Sequence, residues 1–149
     1  MIELLAADGP DPRLRDRLML YGQFVGAWSV ENHELGAAGE WVEQRGEWHF
    51  GWVLGGRGVQ DVLFPLDAPE ERGTTLRAYD EREDVWRISW MAPHWGEFAN
   101  QVGRADGDRI VQDGGERRWV FSEITATSFR WTGETDGRVV QRMTAARIA

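Results

Sequence analysis

Residues 46–64 constrain the fold more than any other part of the chain. The first half of this stretch places Trp48, Phe50 and Trp52 at every second position, which is the spacing of side chains on one face of a β-strand. Three large rings on one face need a deep interior, and a closed or nearly closed barrel provides one where a flat surface sheet does not. The stretch therefore predicts a β-barrel with an aromatic interior.

The length and composition of the chain limit the kinds of protein it can be. Its 149 residues suit one domain, predicted over 1–149. Cysteine is absent, which excludes a disulfide framework and a thiolate metal site. The 25 carboxylates and 17 cations give a net charge of −8, which argues against nucleic-acid binding as a function. The chain has no phosphate-binding loop and no dinucleotide fingerprint, and we predict no cofactor.

The N-terminal residues predict where the protein resides. They lack the charged start and the apolar run of a signal peptide. No run in the chain approaches the roughly 18 apolar residues of a membrane-spanning helix. We therefore predict a cytoplasmic protein that does not bind a membrane.

The first part of the chain predicts one short helix. Asp11 suits the N-cap position and Pro12 the first helical position, and the apolar residues Leu14, Leu18 and Tyr21 follow at helical spacing. We predict a helix over about 12–22 that closes one end of the barrel, with residues 1–10 as a loose lead-in.

The remaining chain, over about 26–148, predicts about ten short strands joined by turns such as Asp136-Gly137. Strand six is predicted from about 95 and strand eight to about 125. Trp41 and Trp48 stand at odd and even positions of one strand, so Gly46 is predicted to form a β-bulge. The pattern indicates an all-β, antiparallel up-and-down barrel, whose closure would also remove exposed strand edges.

Several motifs carry a resemblance to known proteins. A helix followed by Gly26-Ala27-Trp28 and a meander resembles the calycin group, which includes lipocalins and fatty-acid-binding proteins. The strings WVLGGRGVQDVLF, TTLRAYD, VWRISW, IVQDG and SFRW are similar to small bacterial lipocalin-like proteins of unassigned function. The resemblance covers about 22–147 and implies a calycin-type barrel in which Arg142 or Arg147 covers Trp28. It leaves the function open.

The nine tryptophans predict a wide aromatic interior. The first functional hypothesis is a cavity that binds a small hydrophobic or aromatic molecule. Its ligand-binding aromatic residues are predicted to be Trp48, Trp52, Trp86, Trp90, Trp119 and Trp131. A filled core without a cavity remains open, and so does a homodimer whose interface buries some of these rings.

A polar set on two predicted neighbouring strands supplies the anchors for such a ligand. Arg77 and Tyr79 share one strand face, and Arg57 and Asp61 could share another. Pointing inward, Arg77 could hold a carboxylate, an enolate or a phosphate, with Asp61 to orient it and Tyr79 as a hydrogen-bond donor. The alternative is an inert Arg–Asp pair. Gln101 is a further predicted ligand-binding residue.

A cofactor-free enzyme, such as an isomerase, a cyclase or a hydratase, is the second hypothesis. Its candidate acid–base residues are Glu97, Tyr79 and His94, because a glutamate in an aromatic cavity has a raised pKa. Glu123 is a weaker candidate within the predicted eighth strand. The histidines lack the spacing of metal ligands, and we predict no metal site. A structural or interaction module with a packed core is the third hypothesis.

Overall fold

A computed structural model describes residues 1–149 and shows a closed barrel of ten antiparallel strands. Consecutive strands pair with each other, and β1 also pairs with β10, which closes the barrel. The strands are β1 (Gly26–Leu35), β2 (Trp41–Val53), β3 (Gly58–Pro65), β4 (Gly73–Asp80), β5 (Val85–Ala92), β6 (Glu97–Asp106), β7 (Arg109–Asp113), β8 (Arg117–Ser122), β9 (Ser128–Thr135) and β10 (Arg138–Arg147). The predicted all-β up-and-down barrel is confirmed.

The predicted helix is present and closes one end of the barrel. Asp11 accepts a hydrogen bond from the backbone N–H of Arg13 at 3.0 Å and caps a 3-10 turn, Pro12–Leu14. Helix α2 (Arg15–Gly22) follows this turn, and its Leu18 and Tyr21 side chains are fully buried in the core.

The first ten residues are more ordered than the sequence predicted. They contain the short helix α1 (Ile2–Leu5), and the backbone N–H of Ala7 then donates to the carbonyl of Trp52 at 2.9 Å. The lead-in is thus attached to the end of β2. Neither α1 nor α2 has the length and the apolar character that crossing a bilayer requires.

The predicted β-bulge at Gly46 is wrong. The pairing of β2 with β1 and β3 runs through Gly46 without a change of register. Trp41 lies on the outer face, 39% exposed, beneath the guanidinium of Arg142. Gly46 instead allows the neighbouring strand to approach closely, because a Cβ there would lie only 2.5 Å from the carbonyl oxygen of Phe64. The one register shift in β10 falls between Val139 and Gln141.

Two strand boundaries also differ from prediction. β6 begins at Glu97, because Pro93–Trp95 forms a 3-10 turn first. β8 ends at Ser122, since Glu123 adopts a positive φ of 50° and pairs with Arg130 outside the strand. Glu123 is exposed and does not extend the strand face that carries Trp119.

The end of the barrel next to α2 is filled with aromatic rings. The ring centre of Phe24 lies 4.9 Å from that of Phe121 and 4.8 Å from that of Phe129, and Trp28 lies 4.7 Å from Phe129. These are ordinary contact distances for aromatic pairs in a packed core. Only the opposite half of the barrel is left for a cavity.

Candidate ligand-binding site

A cavity of about 570 Å³ occupies the half of the barrel opposite α2. It opens between the strand ends at Glu34 of β1, Pro65 of β3, Glu97 of β6 and Arg117 of β8. None of its lining residues comes from α1 or α2. In an antiparallel barrel, the turns that join the strands lie alternately at the two ends. This mouth lies at the end that the helices leave uncovered.

Five tryptophans line the cavity, namely Trp48, Trp90, Trp95, Trp119 and Trp131. All but Trp95 lie on strands and face inward by simple alternation. Trp90 lies directly against the backbone of Gly73, where any Cβ would overlap the indole ring. The walls therefore offer broad flat apolar surfaces to a ligand.

A chain of hydrogen bonds crosses the cavity floor. Arg77 on β4 pairs through Nη1 with Asp61 Oδ2 on β3 at 2.5 Å, and its Nε donates to Oε1 of Gln112 on β7 at 3.1 Å. The same Gln112 oxygen accepts from the Tyr21 hydroxyl at 2.8 Å. The Gln112 amide nitrogen donates to Gln101 Oε1 on β6 at 2.7 Å. β4 and β7 are not neighbours in the sheet, so this chain spans the barrel interior.

Arg77 separates the cavity from the aromatic end of the barrel. Its guanidinium carbon lies 5.0 Å from the ring centre of Tyr21, 5.6 Å from that of Phe50 and 5.8 Å from that of Phe121. These distances are within the range of cation–π attraction. The Arg77 side chain is buried and lines the cavity from below.

The charges on the floor are balanced. Asp61 is also buried, and its second carboxylate oxygen accepts from the backbone N–H of Thr75 at 2.8 Å. Burial raises the pKa of the Tyr21 hydroxyl far above its usual range, and the nearby Arg77 opposes this rise only in part. Tyr21 is thus a neutral donor, and the ion pair leaves the floor without net charge.

The mouth carries a cluster of ionisable side chains. Glu34 is exposed at the mouth, where partial burial raises the pKa of its carboxyl, the negative charge of Glu97 raises it further, and Arg117 lowers it. Trp95 closes part of the opening, with its indole Nε1 donating to Glu71 Oε2 at 3.4 Å. The mouth is therefore polar and the walls below it are aromatic.

The structure brings only part of the predicted site together. Seven of the predicted residues line the cavity, namely Trp48, Arg77, Trp90, Glu97, Gln101, Trp119 and Trp131. Asp61 contacts it only through Arg77. Trp52 and Trp86 are buried but belong to the core at the α2 end, where Trp86 packs 4.9 Å from Tyr21.

Tyr79 and His94 lie outside the cavity. Tyr79 shares the inward face of Arg77, but it stands two residues nearer the α2 end and donates its hydroxyl to Asp84 Oδ1 at 2.6 Å. Two strand residues span about 7 Å, which is enough to move a side chain out of the site. His94 is exposed in the 3-10 turn before β6, and its neighbours Trp95 and Gly96 line the mouth in its place.

The predicted grouping of Arg57 with Asp61 is wrong. Arg57 lies in the turn before β3, where it pairs with Glu81 at 3.2 Å and with Asp11 at 3.7 Å. Strand β3 begins only at Gly58, so Arg57 is not part of the alternation that turns Asp61 inward. Its contacts join the N-terminal segment to the β4–β5 hairpin.

Sequence reasoning missed Gln112, which links Arg77 to Gln101. Gln112 stands two residues after the buried Ile110 on β7, and alternation alone would have turned it inward. No sequence signal predicts its bonding partners, because these lie on strands that are distant in the chain. Arg117 and Glu34 were missed for the same reason.

Comparisons with known proteins found similarity at the level of structure only. No protein-family model and no curated protein matches the chain. One similar solved structure is described as a redesigned beta barrel, mFAP0, bound to DFHBI; it is 15% identical, with a TM-score of 0.49, over 84% of this chain and 99% of that one. Another, a redesigned beta barrel named b11L5F_LGL, is 14% identical, with a TM-score of 0.47, over 85% of this chain and 93% of that one.

Proposed function

We propose that the protein binds a small hydrophobic or aromatic molecule inside the barrel. The observation that carries this proposal is the cavity of about 570 Å³ with five tryptophans in its walls. Small-molecule sites typically enclose about 300–1,000 Å³ and combine apolar walls with a few polar groups. Arg77 and Gln101 are the polar anchors, and Asp61 holds Arg77 in place.

A packed module without a ligand receives less support. Its core would fill the barrel from end to end, whereas the rings of Trp48 and Trp131, which lie 6.4 Å apart, also border open space. Apolar walls around open space lose dispersion contacts that an occupant would restore. The cavity thus favours a binding function over a purely structural one.

A second candidate is a cofactor-free enzyme that uses the same cavity. Glu97 lines the mouth, and the charge of Glu97 and burial together raise the pKa of the Glu34 carboxyl. A carboxyl group whose pKa is raised in this way can transfer a proton as a general acid or base. If the protein is an enzyme, Glu97→Gln abolishes turnover and preserves binding, while Tyr79→Phe changes neither, because Tyr79 lies outside the cavity.

We also propose a relationship to the lipocalin-like proteins of the calycin group. Trp28 opens the inward face of β1 in the Gly26-Ala27-Trp28 motif. Arg147, and not Arg142, covers its ring at 4.2 Å. These two features support the resemblance that the sequence motifs carry.

The proposal is tested first by native mass spectrometry of the freshly purified protein and then by titration with the neutral fluorescent probe N-phenylnaphthylamine. Saturable energy transfer from tryptophan to the probe is expected. Ala99→Met, which fills the cavity, should weaken binding at least tenfold. Ala105→Met, at an exposed position of the same strand, should not. Equal binding by both variants, or no adduct and no saturable probe binding, would overturn the proposal.

A further inference from the structure

The hydrogen bonds on the cavity floor have a fixed direction. A carboxylate can only accept and a guanidinium can only donate. Asp61 therefore accepts from Arg77, and Arg77 can bond only to an oxygen of Gln112. This assigns the Gln112 side chain without ambiguity, with its carbonyl toward Arg77 and Tyr21 and its amide nitrogen on the other side.

The same direction continues to Gln101. Because Gln112 presents its amide nitrogen, Gln101 must present its carbonyl oxygen to it, at 2.7 Å. The amide nitrogen of Gln101 is then the last group of the chain, and no protein atom accepts a hydrogen bond from it. Gln101 is buried, 7% exposed, and lines the cavity. A donor that lines the cavity without a protein partner is free to give its hydrogen bond to an acceptor on the occupant of the cavity, in place of water.

Two further cavity residues carry unpaired donors. Arg77 uses Nη1 on Asp61 and Nε on Gln112, and its Nη2 takes part in neither of these two bonds. The indole Nε1 of Trp48 also has no partner, but it is buried and not exposed to the open cavity, which Trp48 lines with its ring. Thr75 adds a hydroxyl that can donate or accept. The floor is thus dominated by donors.

The charge on this floor selects the kind of acceptor. Asp61 already neutralises Arg77. An anionic group on a ligand would therefore be buried with no free positive charge to pair with. Removing a charge from water is costly unless a new pair replaces its hydration. A neutral carbonyl oxygen satisfies the same donors at a much smaller desolvation penalty.

We infer that the ligand carries a neutral carbonyl group on its aromatic or hydrophobic body, and this inference rests on the proposed function. The carbonyl oxygen accepts from Gln101 Nε2, and Arg77, which bonds to the other end of the same Gln112 amide, is a further donor on the cavity floor. The tryptophan walls contact the rest of the molecule. Aryl ketones, quinones, aromatic esters and amides belong to this class.

Three naphthalenes of matched size test the inference. They are methyl naphthyl ketone, isopropenylnaphthalene, which has the same shape without an acceptor, and naphthoate, which is an anion. Binding is measured through quenching of tryptophan fluorescence at about pH 8, where the carboxylate is ionised. The ketone is expected to bind about five- to tenfold more tightly than the alkene, as one net hydrogen bond provides, and more tightly than naphthoate.

A substitution that replaces the hydrogen-bond donor of Gln101 with an acceptor is the second test of the inference. Gln101→Glu still accepts from Gln112 but presents an oxygen to the ligand, so the preference for the ketone should vanish and naphthol, a donor, should gain about tenfold. Gln101→Met, of similar size without polar atoms, should bring ketone and alkene to equal affinity. It keeps the test decisive if the glutamate variant does not fold.

The outcomes separate this inference from the proposed function. If ketone and alkene bind the native protein equally well, or naphthoate binds most tightly, the neutral-acceptor inference is wrong and the cavity still binds aromatic molecules. If neither variant alters the preference for the ketone, Gln101 is not the donor. If none of the naphthalenes binds, both the inference and the proposed function fail.

Discussion

The guanidinium carbon of Arg147 lies 4.2 Å from the centre of the Trp28 ring at the closed end of the barrel. The same guanidinium donates hydrogen bonds to the carbonyls of Gln23 and Val25, both at 2.9 Å, and of Ala126 at 2.8 Å. One side chain therefore joins the end of β10 to the chain that precedes β1 and to the turn that precedes β9. It stabilises closure of the barrel where its first and last strands meet.

Replacing Arg147 should weaken this closure. Arg147→Leu removes three charge-assisted hydrogen bonds and a cation–π contact, so we expect a loss of about 2–3 kcal/mol in the free energy of unfolding. Arg142→Leu is the matched control, because Arg142 covers the exposed Trp41 on the outer face, and it should lose about 0.5 kcal/mol or less. Urea unfolding measures both, and equal losses would contradict the role of Arg147.

The buried Arg77–Asp61 pair should behave as a unit. Arg77→Met and Asp61→Asn each leave one buried charge without its partner, and each should destabilise the protein by about 3–5 kcal/mol. The double variant should lose clearly less than the sum of the single variants, because it leaves no unpaired charge. A double-mutant cycle from urea unfolding measures this coupling, and strictly additive losses would show that the two side chains are independent.

The fold was predictable because alternation reports which way a strand residue points. Trp48, Phe50 and Trp52 alternate with polar or small residues, and all three face the interior. The Asp136-Gly137 turn joins β9 to β10 as the hairpin signal predicted, with positive φ at both positions. Such signals are local, so they can be read from neighbouring residues in the chain.

The site was less predictable, because alternation does not show how far along the barrel axis a side chain lies. Arg77 and Tyr79 point the same way, yet one lies on the cavity floor and the other beside α2. Trp52 is buried but lies at the filled end for the same reason. Depth depends on the register between strands and on where α2 inserts, and both are long-range features.

Gly103 should tolerate no side chain, because Tyr21 occupies the space that a Cβ would need. A Cβ at Gly103 would lie 2.5 Å from the Tyr21 hydroxyl oxygen and 2.8 Å from Ile88 Cδ1. Gly103→Ala should therefore displace Tyr21 from Gln112 and lower stability by about 1–3 kcal/mol. Gly51→Ala is the control, since nothing lies within 4 Å of its Cβ position. Thermal unfolding of both variants measures this loss of stability. A Gly103→Ala variant as stable as the native protein would contradict the close contact.

Glu34 should make the protein less stable as the pH rises. Its pKa in the folded state is raised above the ordinary 4.5 by burial and by the charge of Glu97, so the folded state binds the proton more tightly than the unfolded state. Stability then falls as pH increases from 4.5 through the raised pKa. Glu34→Gln removes this dependence and should raise the melting temperature at neutral pH by about 1–2 °C, a small change because the group is partly solvated. The gain should disappear at pH values below 4.5, where Glu34 is protonated in both states.

Glu31→Gln is the control, because Glu31 lies beside Arg45 on the outer face of the same strand. It should give no gain in melting temperature at neutral pH. A gain equal to that of Glu34→Gln would show that the effect is a general one of net charge.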